Sequence, residues 1–248
     1  MKTNSLDFDA RALREKILDL AMRGKLVKQD PNDEPASVLL EKIKAEKAEL
    51  VKEKKIKKSK PLPEITDDEK PFDIPESWEW VRLGDIVFNY DGQRIPVSIS
   101  DRRKRKKIYD YYGASGKIDK IDSYLFSRPM LLISEDGANL LARTKPIAFI
   151  ATGKYWVNNH AHVMNSIDID ILNFLANYIN SQNLNMYITG SAQPKLNQQN
   201  LNKIIVPFPP LSEQSRIFYS TIRKTSDFAE VEGTGFGNAR KISQARSP

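Results

Sequence analysis

WEWVRLGDIVF, residues 78 to 88, is where the chain changes texture: apolar, aromatic and β-branched residues crowd together after a long stretch dominated by lysine and glutamate. Such residues suit a pleated, half-buried surface, so the stretch reads as extended chain. Runs of the same kind follow at MLLIS (130–134), PIAFIA (146–151) and HAHVM (160–164), separated by Gly, Asp and Asn. ILNFLANYINS (171–181) differs, because Leu172, Leu175, Ala176 and Ile179 share one helical face. KIIVPFPP (203–210) returns to extended chain, and LSEQSRIF (211–218) opens another helix. The expectation is an α+β fold with a mixed α/β domain over 72–210 and a short exit helix over 211–225. The stretch 226–248, which ends in EGTGFGNARKISQARSP, has few apolar residues and is expected to be a disordered tail.

Upstream, Leu13, Ile17, Leu20 and Ala21 recur at helical spacing between Asp9 and Leu26, with Gly24 as a stop signal. QDPNDEP (29–35) is a turn, and Pro35 suits the first position of a second helix capped by Asp33 or Glu34. That helix carries Leu39, Leu40, Ile43 and Leu50 and runs into KEKKIKKSK (52–60). Two helices cannot close a core alone, so residues 1–60 are expected to form a helical arm that lays its apolar stripe on another helix or chain. Four prolines within SKPLPEITDDEKPFDIPE (59–76) place a linker at 61–71.

A formal net charge of +7 and a pI near 9.3 favour a polyanionic partner. There is no cysteine, no apolar run approaching the roughly 18 residues of a membrane span and no apolar signal-peptide core at the start, which predicts a cytoplasmic protein.

Three stretches carry candidate chemistry. In DRRKRKKIYDYYGASGK (101–117), six consecutive basic residues, Arg102, Arg103, Lys104, Arg105, Lys106 and Lys107, precede tyrosines and a glycine-flanked turn. Either this is a solvated loop or it neutralises DNA phosphates, with Tyr112, Ser115 and Lys117 permitting close approach. In LLISEDGANLLAR (131–143), Glu135 and Asp136 stand at a strand end. A common Asp-Gly turn, a base contact and a metal site are all compatible with the pair. GKYWVNNHAHV (153–163) contains both histidines of the chain. Two histidines without cysteine are too few ligands for a metal site, so none is expected, and no nucleophile motif accompanies them. A plain strand start competes with nucleic-acid reading there. On the second view Asn158 and Asn159 would pair with adenine, Lys154 with guanine, Trp156 would offer a stacking face and His160 would stand before the anchoring strand, with His162 structural.

Several stretches resemble the specificity subunit of type I restriction-modification systems. LREKILDLAMRGKLVKQDPNDEPASVLLEKI (13–43) is similar to the end of that family's spacer helix, and IPESWEWVRLGDI (74–86) to the opening of a target recognition domain. YYGASGKI, LLISEDGANL, PIAFIATGKYWVNNHAHV and PKLNQQNLNKIIVPFPPLSEQSRI (111–217) are similar to one such domain through to its exit helix. The resemblance implies a non-catalytic adaptor that reads half of a split site in double-stranded DNA and holds methyltransferase subunits acting on adenine N6. A restriction subunit would join the full complex, and S-adenosylmethionine would belong to the methyltransferase partner. This chain has no DPPY-type tetrapeptide. Members of the family usually carry two recognition domains, whereas one domain and no internal repeat are legible here. The expectation is therefore a half-subunit that recreates two recognition domains as a homodimer through its helices. The alternative is a truncated decoy or silent cassette that only binds the methyltransferase subunits.

Overall fold

The computed structural model describes the backbone of residues 10–231 and the side chains of residues 12–224. The first helix, α1, spans Ala10–Met22, and Gly24 at φ 66° ends it in the left-handed conformation that costs glycine no strain. A side chain at Gly24 would also strike Pro75, 2.5 Å from the would-be Cβ. The second helix, α2 (Ala36–Lys52), is preceded by Pro35 as its cap, with no side-chain capping bond. Asp33, expected to cap it, instead takes the guanidinium of Arg216, and Glu34 pairs with Lys42 at 2.6 Å.

The deciding stretch is not one strand. Strand β1 (Glu79–Arg82) gives way to a single helical turn, α3 (Leu83–Ile86), and then to the two-residue strand β2 (Phe88–Asn89). Another short helix, α4 (Ile99–Arg103), follows, then β3 (Tyr109–Gly113), β4 (Gly116–Ile121) and β5 (Met130–Ser134). The order continues with α5 (Asn139–Ala142), β6 (Ala148–Ala151), β7 (Tyr155–Val157), β8 (Ala161–Asn165) and α6 (Ile169–Ser181). It closes with α7 (Gln198–Lys203), β9 (Ile205–Phe208) and α8 (Leu211–Val231). The last helix passes Thr225, where the exit helix was expected to stop, so 226–231 is helical backbone and not tail. The remainder of the expected tail, 232–248, lies outside the described residues.

The strands form three sheets. The central one has the order β2-β8-β5-β6 and is antiparallel throughout; β1 and β9 form an antiparallel pair; β4-β3-β7 form a third sheet in which β3 and β7 run parallel. Every residue of β5 is buried, as a strand sandwiched on both faces must be. Helix α6 packs on β5 and β6, and α1 packs in turn on α6 and α8.

The two helices of the expected arm are not free. Ala21 and Met22 of α1, and Ala36, Leu39, Ile43 and Leu50 of α2, belong to the same buried cluster as Leu131, Val163 and Phe174. The apolar stripe that sequence leaves without a partner is covered by the chain's own sheets and helices. The segment 61–71 is irregular chain broken by a 3-10 turn at Asp67–Glu69, and it is strapped down. Arg82 donates to the carbonyls of Pro63 and Glu64 and forms a two-pronged pair with Glu69 at 2.7 and 2.9 Å. The hydrophobic core therefore does not divide at the expected linker. Among the described residues no helix is long and apolar enough to cross a membrane.

Candidate nucleic-acid interface

Four loops meet at one edge of the molecule. The hairpin turn between β3 and β4 holds Ala114 and Ser115 between Gly113 and Gly116, and the Ala114 carbonyl accepts the hydroxyl of Ser134 at the end of β5. The next residue, Glu135, donates its amide to the His160 carbonyl at 2.9 Å and accepts from the Leu196 amide at 2.8 Å. Gly137, at φ 104°, donates to Pro194 at 3.0 Å. The loops 113–116, 135–137, 158–160 and 193–196 are thus tied into one rim, on which Ser115, Asn159, His160 and Lys195 are exposed.

Below the rim lies a buried charge network. His162 is fully buried, with Nδ1 2.7 Å from Asp91 and Nε2 2.8 Å from the Leu196 carbonyl. Both ring nitrogens are thereby used. Asp91 also accepts the Val163 amide at 2.8 Å, and Arg94 reaches Glu135 at 2.7 Å and the Ala161 carbonyl at 2.8 Å. Burial pushes the Asp91 and Glu135 carboxyls up, but the hydrogen bonds from His162 to Asp91 and from Arg94 to Glu135 prevail and hold both below the usual carboxylate range. Lys195 adds a pair with Glu135 at 3.2 Å. This network fixes the loops from beneath. No local pattern announces Asp91, Arg94 and Lys195, because they converge with Glu135 and His162 from four separate segments.

The two histidines have separate partners. His160 is exposed and sits 2.8 Å from Asp136, while His162 is consumed in the network. Among the described residues no group of three or more ligating side chains could hold an ion.

Several expected contact residues are structural instead. Asn158 is buried at 6%: its amide bonds to Tyr112, and its side-chain oxygen accepts the His160 amide at 2.9 Å, which turns the loop. Trp156 is buried at 7% and donates Nε1 to the Ile95 carbonyl at 2.6 Å, with Arg105 over its ring. It has no face left for a base. Tyr112 is half-buried against Phe149 and Tyr155, and burial raises its phenol pKa.

The basic run is neither loose nor uniform. Ser98 caps α4 by accepting the Asp101 amide, and the run then folds over the face of the third sheet that carries Tyr111 and Trp156. Arg102 stacks 4.5 Å over Tyr111 and bonds Asp119 at 2.9 Å, Arg105 pairs with Asp122 at 2.9 Å, and Lys107 pairs with Asp119 at 2.9 Å. The hydrogen bond from Lys107 is the chief reason that the Asp119 pKa falls to about 2. Carboxylates supplied by the β4 hairpin relieve the repulsion that sequence alone foresees. Arg103, Lys104 and Lys106 are exposed and make no ion pair among the described residues. Lys117 is exposed but pairs with Asp110 at 2.7 Å, and Lys154 lies 4.9 Å over the Tyr124 ring.

A family model for the type I restriction modification DNA specificity domain matches residues 75–220, which contain the rim, the network and the basic run. The chain belongs to this family. The Type I restriction enzyme EcoAI specificity subunit of Escherichia coli is 37% identical over 243 residues, covering 85% of this chain and 38% of its own length. The EcoEI specificity subunit of the same organism is 32% identical over 246 residues, covering 89% of this chain and 40% of its own. The chain therefore spans about 40% of the length of these relatives. Among solved structures, the HsdS subunit from Thermoanaerobacter tengcongensis superposes with a TM-score of 0.47 at 17% identity, covering 95% of this chain and 54% of that one. In family terms the rim belongs to the specificity domain, and α1 and α2 both precede the matched region.

Proposed function

We propose that this chain recognises double-stranded DNA as the specificity component of a type I restriction-modification complex. The observation that carries the reading is the rim itself. It presents Ser115, Asn159 and His160 to solvent on two of four loops tied together and braced from beneath, within the region matched by the DNA specificity family. Asn159 can donate and accept toward adenine in the major groove, and Arg103, Lys104 and Lys106 neutralise phosphates without reading sequence. The chain would read one half of a split site and perform no chemistry itself. Methyltransferase subunits, carrying S-adenosylmethionine, would act on adenine N6, and a restriction subunit would complete the assembly. Two copies pairing through α8 would supply the second half-site and make it symmetric.

Random-sequence duplex selection in the presence of the cognate methyltransferase subunit tests this. The expected result is one enriched motif, matched by methylation at that motif in cells carrying both proteins. Co-purification without any enriched motif or methylation would instead identify a decoy that only occupies the methyltransferase.

A further inference from the structure

The segment that leaves α2 builds a cleft of its own. Lys54 takes the left-handed conformation at φ 59°, and the amides of Lys55 and Ile56 both donate to the Leu50 carbonyl, at 2.9 and 3.3 Å. This sharp exit buries Ile56 in the core and leaves Lys57, Lys58 and Lys60 exposed. They face α7 across a cleft of about 460 Å³ whose opposite wall is Gln198, Gln199 and Lys203. Among the described residues no acidic side chain lines it. None of these four lysines has an ion-pair partner among the described residues. The carboxylates Glu41, Glu64, Glu79 and Asp85 line the adjoining cleft, which shares only Lys47, Ser59, Leu62 and Pro63 with this one.

Four like charges facing one another without a counter-charge repel, and a polyanion that neutralises them removes that repulsion while releasing its own counterions. The glutamine amides opposite them are donors of the kind that bond phosphate oxygens. The cleft is also tied through the chain to the network beneath the rim. Gln93 donates to the Lys55 carbonyl at 3.4 Å from the turn Asp91–Gln93, the same turn whose Asp91 anchors His162. On the other wall, α7 starts three residues after Lys195.

We propose that the cleft between Lys57–Lys60 and α7 is a second, sequence-independent phosphate-binding surface for the duplex engaged at the rim, an inference that rests on the DNA-recognition function proposed for the chain. The test uses the full chain with Lys57, Lys58 and Lys60 all replaced by Ala, and a matching triple replacement by Arg. Binding to scrambled duplex DNA is measured over a range of salt, with thermal melting as the folding control. The Ala variant should melt like the parent and bind with a log-affinity against log-salt slope shallower by about 0.9 for each phosphate it no longer neutralises, at least about 1.8 in total. The Arg variant should keep the parental slope. If the parent binds DNA and the Ala variant has the same slope, the cleft is not a DNA surface and DNA recognition at the rim stands. If the parent binds no DNA, both fall. A slope left intact together with loss of binding to polyglutamate would assign the cleft to an acidic protein instead.

Discussion

Asn158 and Asn159 are adjacent in sequence and opposite in fate. Asn158 holds the loop closed through the His160 amide; Asn159 points to solvent on the rim. Asn159→Ala should leave the melting temperature unchanged and cost about 1–3 kcal/mol on the cognate duplex, with little change on scrambled DNA. Asn158→Ala should lower the melting temperature and weaken both duplexes alike. Equal behaviour of the two variants in paired affinity and melting measurements would reject the assignment. Beneath them, His162→Ala takes one hydrogen bond from Asp91 and leaves the Leu196 carbonyl without its side-chain donor, at about 1–3 kcal/mol for a buried group left unsatisfied, and should melt several degrees lower. Asp119 offers a sharper test, because it holds two of the six basic residues. Asp119→Asn should release Arg102 and Lys107, steepen the salt dependence of DNA binding and raise nonspecific affinity. A carboxyl depressed from 3.8 to about 2 contributes its stabilisation fully above the unfolded value and loses it as pH falls through about 2. The parent's Asp119 clasp should therefore persist through mildly acidic pH and open only below about pH 3, as the chemical shift of the Asp119 carboxyl would report.

Helices α1 and α2 behave as part of the domain. Ile43 is fully buried, in one cluster with Leu39 and with the strands of the central sheet. Ile43→Ala should cost about 2–5 kcal/mol, read as a lower denaturant midpoint. Removing residues 1–60 should strip the cover from α6 and α8 and abolish cooperative melting of the remainder. A fragment 72–210 that melts cooperatively and binds DNA would show that the helices are a separable arm after all.

Across the whole molecule, the basic excess is divided between cations bound to the chain's own carboxylates and cations free for a partner. Replacing Arg103, Lys104 and Lys106 by Ala should flatten the salt slope by about 0.9 for each phosphate left unneutralised and weaken all sequences equally. Replacing the paired residues Arg102 and Arg105 should instead loosen the cover over Tyr111 and Trp156 and register in melting.

The linear pattern determined most of the elements. MLLIS, ILNFLANYINS and the strand within HAHVM form where their apolar periodicity puts them, because burial of one face or both dictates local conformation. The motifs at 74–86 and 206–214 likewise carried the family resemblance, since they depend on residue order alone. What covers an amphipathic face, and which polar side chain is spent holding a loop, depends on partners far away in sequence. The stripe of residues 1–60 is met by the chain's own helices, Trp156 is closed by Ile95 and Arg105, and half of the basic run is neutralised by Asp119 and Asp122. Only the tertiary structure decides between a free cation and a paired one, because a charge is available to a partner only when no carboxylate has been folded beside it.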